Sequence, residues 1–178
     1  MELRLERPAD HDAVHEVHRQ AFGDDGDHVA HLNQDLRGLI EPGSGVSLVA
    51  VDDREIVGHV LFTRSILDAP GRLVDVLVLS PVGVLPTHQN NGVGTALVTR
   101  GLELADDQGA PAVFLEGSPG YYPRFGFEPG EPLGFRKPSL RIPDAAFQVK
   151  RLSGYDETMT GTLVYSEVFW RHDAVGLR

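Results

Sequence analysis

The chain has no cysteine. That excludes disulfides, thiolate metal sites and a cysteine nucleophile, so acyl transfer through a cysteinyl enzyme is not open to it. It also lacks any run approaching the roughly 18 apolar residues of a membrane span. Met1-Glu2-Leu3-Arg4-Leu5-Glu6 has no apolar core of the kind a secretory leader carries, so no membrane association is expected and the cytoplasm is the default location. Positive charge is scarce, with 16 basic against 26 acidic side chains and a net charge of -10. Such a balance opposes binding to nucleic-acid phosphates and is compatible with attracting a cationic amine. No internal repeat or low-complexity tract interrupts the 178 residues, 41% of them hydrophobic, so one well-buried core and a single domain over residues 1–178 are expected.

What is present centres on residues 74–126. An apolar strand from Asp75 to Leu85 leads into the loop Pro86-Thr87-His88-Gln89-Asn90-Asn91-Gly92-Val93-Gly94, and a helix is predicted from about Gly92 to Gln108. A second apolar strand follows at Ala112–Leu115, and the stretch closes on Gly120-Tyr121-Tyr122-Pro123-Arg124-Phe125-Gly126-Phe127. A helix N-terminus offers unpaired backbone N–H groups and the positive end of the helix dipole, which together suit an anion such as a phosphate. Gly92 and Gly94 remove Cβ atoms that would block close approach, and Gln89, Asn90 and Asn91 add uncharged donors. An ordinary strand-to-helix turn is the competing reading of a bare Gly-x-Gly. Two phosphate motifs are excluded by their neighbours. No lysine follows Gly94, which argues against a P-loop, and Leu97 stands where a dinucleotide fingerprint needs its third glycine, although Glu116 does end the next strand.

In their order, Val82-Gly83-Val84-Leu85-Pro86, Gln89-x-x-Gly92-x-Gly94, an alanine- and leucine-rich helix and Tyr122-x-x-x-Gly126-Phe127 resemble the GNAT superfamily of acyl-CoA-dependent N-acyltransferases. The likeness is strongest from about Ser80 to Phe127. It implies an α/β (α+β) fold with a mixed, mostly antiparallel central sheet of about six to seven strands flanked by helices and splayed near residues 75–85 and 112–116. It implies acetyl-CoA as co-substrate, with no metal. The pyrophosphate of coenzyme A would lie on the loop and helix start formed by Gln89, Asn90, Asn91, Gly92, Val93, Gly94 and Thr95, and the pantetheine arm and acetyl carbonyl on the backbone of Val82, Gly83 and Val84. Pro81 and Gly83 weaken strand pairing at that point, so unpaired backbone groups are expected there.

Acetylation of an amine needs an acid and a base. A primary amine of pKa near about 10.4 must lose a proton before it attacks, and the thiolate must gain one as it leaves. Tyr122 matches the tyrosine that serves as general acid in many members of the resembled family, with Tyr121 as the fallback. Glu116, at its strand end, is the expected base, with His59 or a water chain as alternatives. The Val84 N–H is the expected donor to the thioester oxygen. The expected activity is direct transfer of acetyl from acetyl-CoA to a small-molecule or peptide amine by a monomer or homodimer. The alternative is a non-catalytic acyl-CoA-binding or regulatory domain.

The rest of the chain reads as a frame. A strand is expected at Leu3–Glu6, a helix capped by Asp10 with Val14, Val17 and Ala21 on one face, and a second helix capped by Asp27 with Val29, Leu32, Leu36 and Leu39 in a stripe. In the resembled family these two helices form one wall of the acceptor site. His11, His15 and His18 read as a solvent-facing stripe, and Gly23-Asp24-Asp25-Gly26-Asp27 as a solvated turn without the ligand spacing of a calcium loop. A hairpin is expected from Ser47–Val51 and Ile56–Thr63, in which Gly58 permits a close approach, followed by a linker over residues 67–71. Strands at Ala146–Arg151 and Gly161–Phe169 are expected to pair antiparallel.

Overall fold

The computed structural model describes residues 1–176. The chain divides into two compact units, Met1–Thr63 with Leu79–Leu104, and Arg64–Val78 with the residues from Ala105 onward.

In the first unit β1 (Glu2–Leu5) pairs antiparallel with β2 (Val46–Asp52), and β2 with β3 (Glu55–Ala69). Asp53 and Arg54, both at positive φ, close that hairpin in two residues. The expected 67–71 linker is largely strand: β3 runs on to Ala69, and only Pro70 and Gly71 turn the chain into β4 (Arg72–Val84). The buried–exposed–buried alternation of Leu67, Asp68 and Ala69 is the period of a strand, which the Pro-Gly pair after it obscured.

Helices α1 (His11–Ala21) and α2 (Gly26–Arg37) pack against each other, α1 burying Val14 and Val17, and α2 burying Ala30, Leu32 and Leu36. Neither expected cap forms. The Asp10 carboxylate instead takes Arg4 Nη1 at 2.6 Å and Nη2 at 2.9 Å together with the Arg7 N–H at 2.7 Å, and Asp27 lies inside α2, which begins at Gly26. Gly26 is required for packing, since a Cβ there would stand 2.0 Å from the Arg19 carbonyl oxygen.

Helix α3 (Val93–Asp107) seats its first turns on β3. A Cβ on Gly58 would meet Val93 and Leu97 at 3.0 Å, which is the close approach expected of that glycine. One turn further, a Cβ on Gly101 would stand 2.2 Å from Phe62 Cε2. Gly101→Ala should therefore destabilise the protein by about 1–3 kcal/mol through overpacking, despite the ~1 kcal/mol that alanine gains in a helix interior. Urea unfolding midpoints check this, and the loss should shrink in a Phe62→Leu background. Equal costs in both backgrounds would show that the contact is not the cause.

In the second unit β5 (Ala112–Glu116) runs parallel to β4 at Leu77↔Val113 and Val78↔Phe114, and antiparallel to β8 (Phe147–Arg151), which in turn pairs with β6 (Glu128–Pro129). The far end of β3, Ile66–Asp68, pairs antiparallel with β9 (Gly161–Val164), and β7 (Phe135–Arg136) runs parallel to β9. The expected antiparallel pair of β8 and β9 is thus replaced by separate partners, and residues 167–171 form the short helix α4 (Glu167–Arg171) rather than strand. Phe114 anchors this core, edge-on to Phe135 at 5.1 Å and stacked on Phe147 at 5.8 Å. Among the described residues, seven strands of four or more residues, mostly in antiparallel pairs, make up the mixed α/β architecture with the two-residue β6 and β7. Among the described residues no helix is long and apolar enough to cross a membrane.

Candidate functional site

The Leu85 N–H donates to the Val57 carbonyl at 2.9 Å, one residue past the end of β4, and a 3-10 turn at Pro86–His88 then reverses the chain. Asn90 and Gly92 both adopt positive φ, 61° and 82°, which brings the chain round onto the axis of α3. Space around a Gly92 Cβ is open, so it is the backbone conformation that favours glycine there. The first helical bond is Ala96 N–H to the Gly92 carbonyl at 2.9 Å, leaving the N–H groups of Val93, Gly94 and Thr95 outside the helix ladder. No acidic residue stands in that first turn to compete with a bound anion.

The side chains divide their roles. Asn90, Asn91, Gly92 and Thr95 are exposed, whereas Val93 is buried on Gly58 and presents only its backbone to the loop. Gln89, read as an uncharged donor to the anion, is exposed, and its Nε2 donates to the Val84 carbonyl at 3.0 Å, bracing the loop against the strand end. Val82 and Val84 are half-buried on either side of a buried Gly83.

In the second unit the Tyr122 ring packs on Tyr121 at 5.1 Å and on Phe127 at 5.8 Å, with Gly117 so close that a Cβ would stand 2.3 Å from Tyr122 Cε2. Burial pushes the Tyr122 phenol up to about 12, so it holds its proton throughout the neutral range. Glu116 ends β5 half-buried, and its Oε2 accepts the Gly176 N–H at 2.9 Å. Burial raises its carboxyl above the usual range, an effect that the Gly176 N–H, the Tyr165 hydroxyl and Arg141 only partly offset.

A polar network in the first unit went unread in the sequence. His18, expected on a solvent-facing stripe, is fully buried, as is His59. His18 Nε2 lies 2.8 Å from His59 Nδ1, and His59 Nε2 lies 2.9 Å from Ser47 Oγ, which donates to Glu6 Oε2. Arg37 completes the line with Nε 3.0 Å from Glu6 Oε2 and Nη2 2.7 Å from Oε1. The available signal was the position of His18 four residues after Val14 and one after Val17, on the apolar face of α1 rather than with the polar one.

Electrostatics assigns the protons. Burial pushes the Glu6 carboxyl up, but the adjacent His59 and the hydrogen bonds from Ser47 and Arg37 outweigh it and leave it at about 2. Burial holds both imidazoles below their ordinary range, against the pull of Glu6 on each. Glu6 and His59 therefore pull in opposite directions, and the neutral His59 prevails because its burial is complete and Arg37 already supplies the cation for Glu6. Since the Ser47 proton points at Glu6, Ser47 Oγ accepts from His59 Nε2–H. His59 Nδ1 is then bare and accepts from His18 Nε2–H, which leaves His18 Nδ1 as a bare acceptor.

A polar cavity of about 250 Å³ opens beside α1 and α2, lined in part by His11, His15, Asn33 and Arg37. The Asn33 side chain is buried there, and neither its amide nitrogen nor its oxygen is hydrogen-bonded among the described residues. No group of three or more His, Asp or Glu side chains among the described residues is arranged to hold a metal ion.

Comparison with known proteins bears on the strand, loop and helix together. The family model for the acetyltransferase (GNAT) domain matches residues 2–130. The uncharacterized N-acetyltransferase YhbS of Escherichia coli K12 is 34% identical over 179 residues, covering 96% of this chain and 99% of that protein. A second E. coli K12 protein, the uncharacterized N-acetyltransferase YjhQ, is 34% identical over 83% of this chain and 82% of its own length. Among solved structures, E. coli YhbS in complex with CoA superimposes with a TM-score of 0.82 at 32% identity, covering 96% of this chain and 92% of that one. A GNAT family acetyltransferase from Brucella melitensis in complex with acetyl-CoA gives 0.74 at 28% identity, covering 94% and 97%. Sequence and fold agree over nearly the whole length of the chain, and the protein belongs to the GNAT acetyltransferase family.

Proposed function

We propose that the protein is an N-acetyltransferase that moves the acetyl group of acetyl-CoA onto a primary amine by direct attack within a ternary complex, residues 1–178 acting as one domain. The observation that carries this reading is the start of α3. Its Val93, Gly94 and Thr95 N–H groups lie outside the helix ladder, behind an exposed Gly92 and with no carboxylate in the first turn, which suits a pyrophosphate. Relatives solved with CoA and acetyl-CoA support the choice of ligand.

In this reading Gln89, Asn90, Asn91 and Gly92 shape the phosphate loop, and the Val82–Val84 backbone receives the pantetheine arm and the acetyl group. Glu116 takes the amine proton, its raised carboxyl being suited to the task. His59 is a poorer base because both of its nitrogens are engaged, one by Ser47 and one by His18. The amine nitrogen bonds to the thioester carbon while the Val84 N–H stabilises the oxygen, the C–S bond breaks, and Tyr122 protonates the departing thiolate. The acceptor is a small-molecule or peptide amine. The polar cavity beside α1 and α2, with the bare amide of Asn33, supports a polar acceptor on that side. The reading places the protein in the cytoplasm as a monomer or homodimer.

Calorimetry with acetyl-CoA and a thiol-release assay across a panel of amines test the proposal. Binding and turnover are expected in the wild type. Gly92→Asp should abolish both, because a carboxylate would face the pyrophosphate at a position whose φ of 82° already disfavours a side chain. Unchanged affinity in folded Gly92→Asp protein would remove the loop from the site. Tight binding without thiol release from any amine would make the protein a regulatory acyl-CoA-binding domain instead.

A further inference from the structure

The Glu6–Ser47–His59–His18 line ends on the backbone of β4. A Cβ on Gly83 would stand 2.7 Å from His18 Nδ1 and 3.0 Å from His18 Cε1, so the imidazole fills the space that any other residue at position 83 would need. His18 Nδ1 is buried without a hydrogen-bond partner among the described residues, and the proton order set by Glu6 leaves it bare. A buried acceptor without a donor costs stability, about 1–3 kcal/mol. The ring is nonetheless held there from two further points, by His59 through Nε2 and by Phe22 at a 6.0 Å ring separation. Such fixing makes the ring a rigid stop against Gly83.

We propose that His18 is a positioning residue for the acyl-CoA thioester: locked by His59, Ser47 and Glu6, its ring sets the β4 backbone at Gly83 so that Val82 and Val84 present their main-chain groups to the pantetheine arm. This rests on the assignment of Val82–Val84 to the coenzyme A thioester. His18 and Gly83 then form a matched pair, a large ring facing a residue without a side chain. His18→Gln keeps an N–H that can reach His59 Nδ1 but removes the atoms in contact with Gly83, whereas His18→Asn can keep an oxygen where Nδ1 stands. Gly83→Ala adds the methyl that the ring excludes.

Calorimetric titration with coenzyme A reads the effect. His18→Gln and Gly83→Ala should each weaken binding by roughly tenfold, the worth of about one displaced backbone hydrogen bond. The double variant His18→Gln/Gly83→Ala should recover most of the loss, because the new methyl occupies the vacated space, and His18→Asn should bind nearly as the wild type does. A role confined to stability would lower melting temperatures without this cancellation in affinity. Should His18→Gln fail to fold, His18→Asn against His18→Asn/Gly83→Ala decides the matter, with only the second expected to lose affinity. Wild-type affinity in the single variants, or losses that add in the double variant, would overturn the proposal while leaving the coenzyme A site intact. No binding of coenzyme A to the wild type would overturn the site assignment and this inference with it.

Discussion

Tyr122→Phe is expected to lower kcat by roughly 10² to 10⁴ while leaving coenzyme A affinity almost unchanged, if Tyr122 is the proposed acid. The substitution deletes the phenolic proton and keeps the ring, so the contacts with Tyr121, Phe127 and Gly117 persist. Because burial lifts the phenol to about 12, Tyr122 stays protonated over any practical assay range and should contribute no alkaline limb to the wild-type pH–rate profile. Tyr121→Phe should be much milder. Thiol release under saturating acetyl-CoA checks both, and near wild-type turnover in the two variants would transfer the acid role to water or another residue.

Stability should fall steeply as the pH drops below about 6.5. His18 and His59 have folded pKa values below the ordinary 6.5, so in that window the unfolded chain binds protons that the folded protein refuses. Their contribution is fully present above pH 6.5 and is lost as the pH falls toward their folded values. Each neutral histidine gives a slope of about 1.4 kcal/mol per pH unit, so the pair gives up to roughly 2.7 kcal/mol per unit while both stay neutral. Glu6 adds a loss of the same sign further down, between its ordinary 4.5 and about 2, as its paired carboxylate is forced to protonate. Raising the carboxyl of Glu116 acts in the other direction, which is why a variant is needed to isolate the histidines. Urea midpoints between pH 7 and 5 should show a slope about half as steep in His18→Gln, since glutamine does not titrate. Identical slopes in the two proteins would mean that His18 is not the buried neutral group described here.

Much of the local structure was legible because its causes are local. Gly109, directly after the Gln108 end expected for that helix, adopts a φ of 79° with its N–H on the Asp106 carbonyl, and the loop between β4 and α3 turns on Gly92 as its glycine required. The Ser47–Thr63 hairpin formed about its polar turn, and the exclusion of thiol chemistry followed from composition alone. Element types, the phosphate-type loop and the resemblance to an acyl-CoA-dependent family all rest on spacings within a few tens of residues. Strand partners do not. β8 and the first half of the stretch expected as the last strand did form strands, but a strand's own alternation is silent about which neighbour completes its ladder, and they chose β5 and β3 rather than each other.

Polar residues followed the same division. Asp10 sits where a helix cap belongs, yet the Arg4 guanidinium from β1 offers its carboxylate a stronger bidentate partner than the helix N–H groups do. His18 looked exposed because histidine is polar and it follows His11 and His15 at i, i+4, i+7, which reads as one polar stripe. What buries it is His59, 41 residues away, with Ser47 and Glu6 behind. By itself the sequence determined the type of most elements, which loop can receive an anion and which chemistries are closed. Only the tertiary structure decided which polar side chains are buried and what Gly83 faces, because burying a polar group depends on a partner that chain folding, not chain spacing, brings within hydrogen-bond reach.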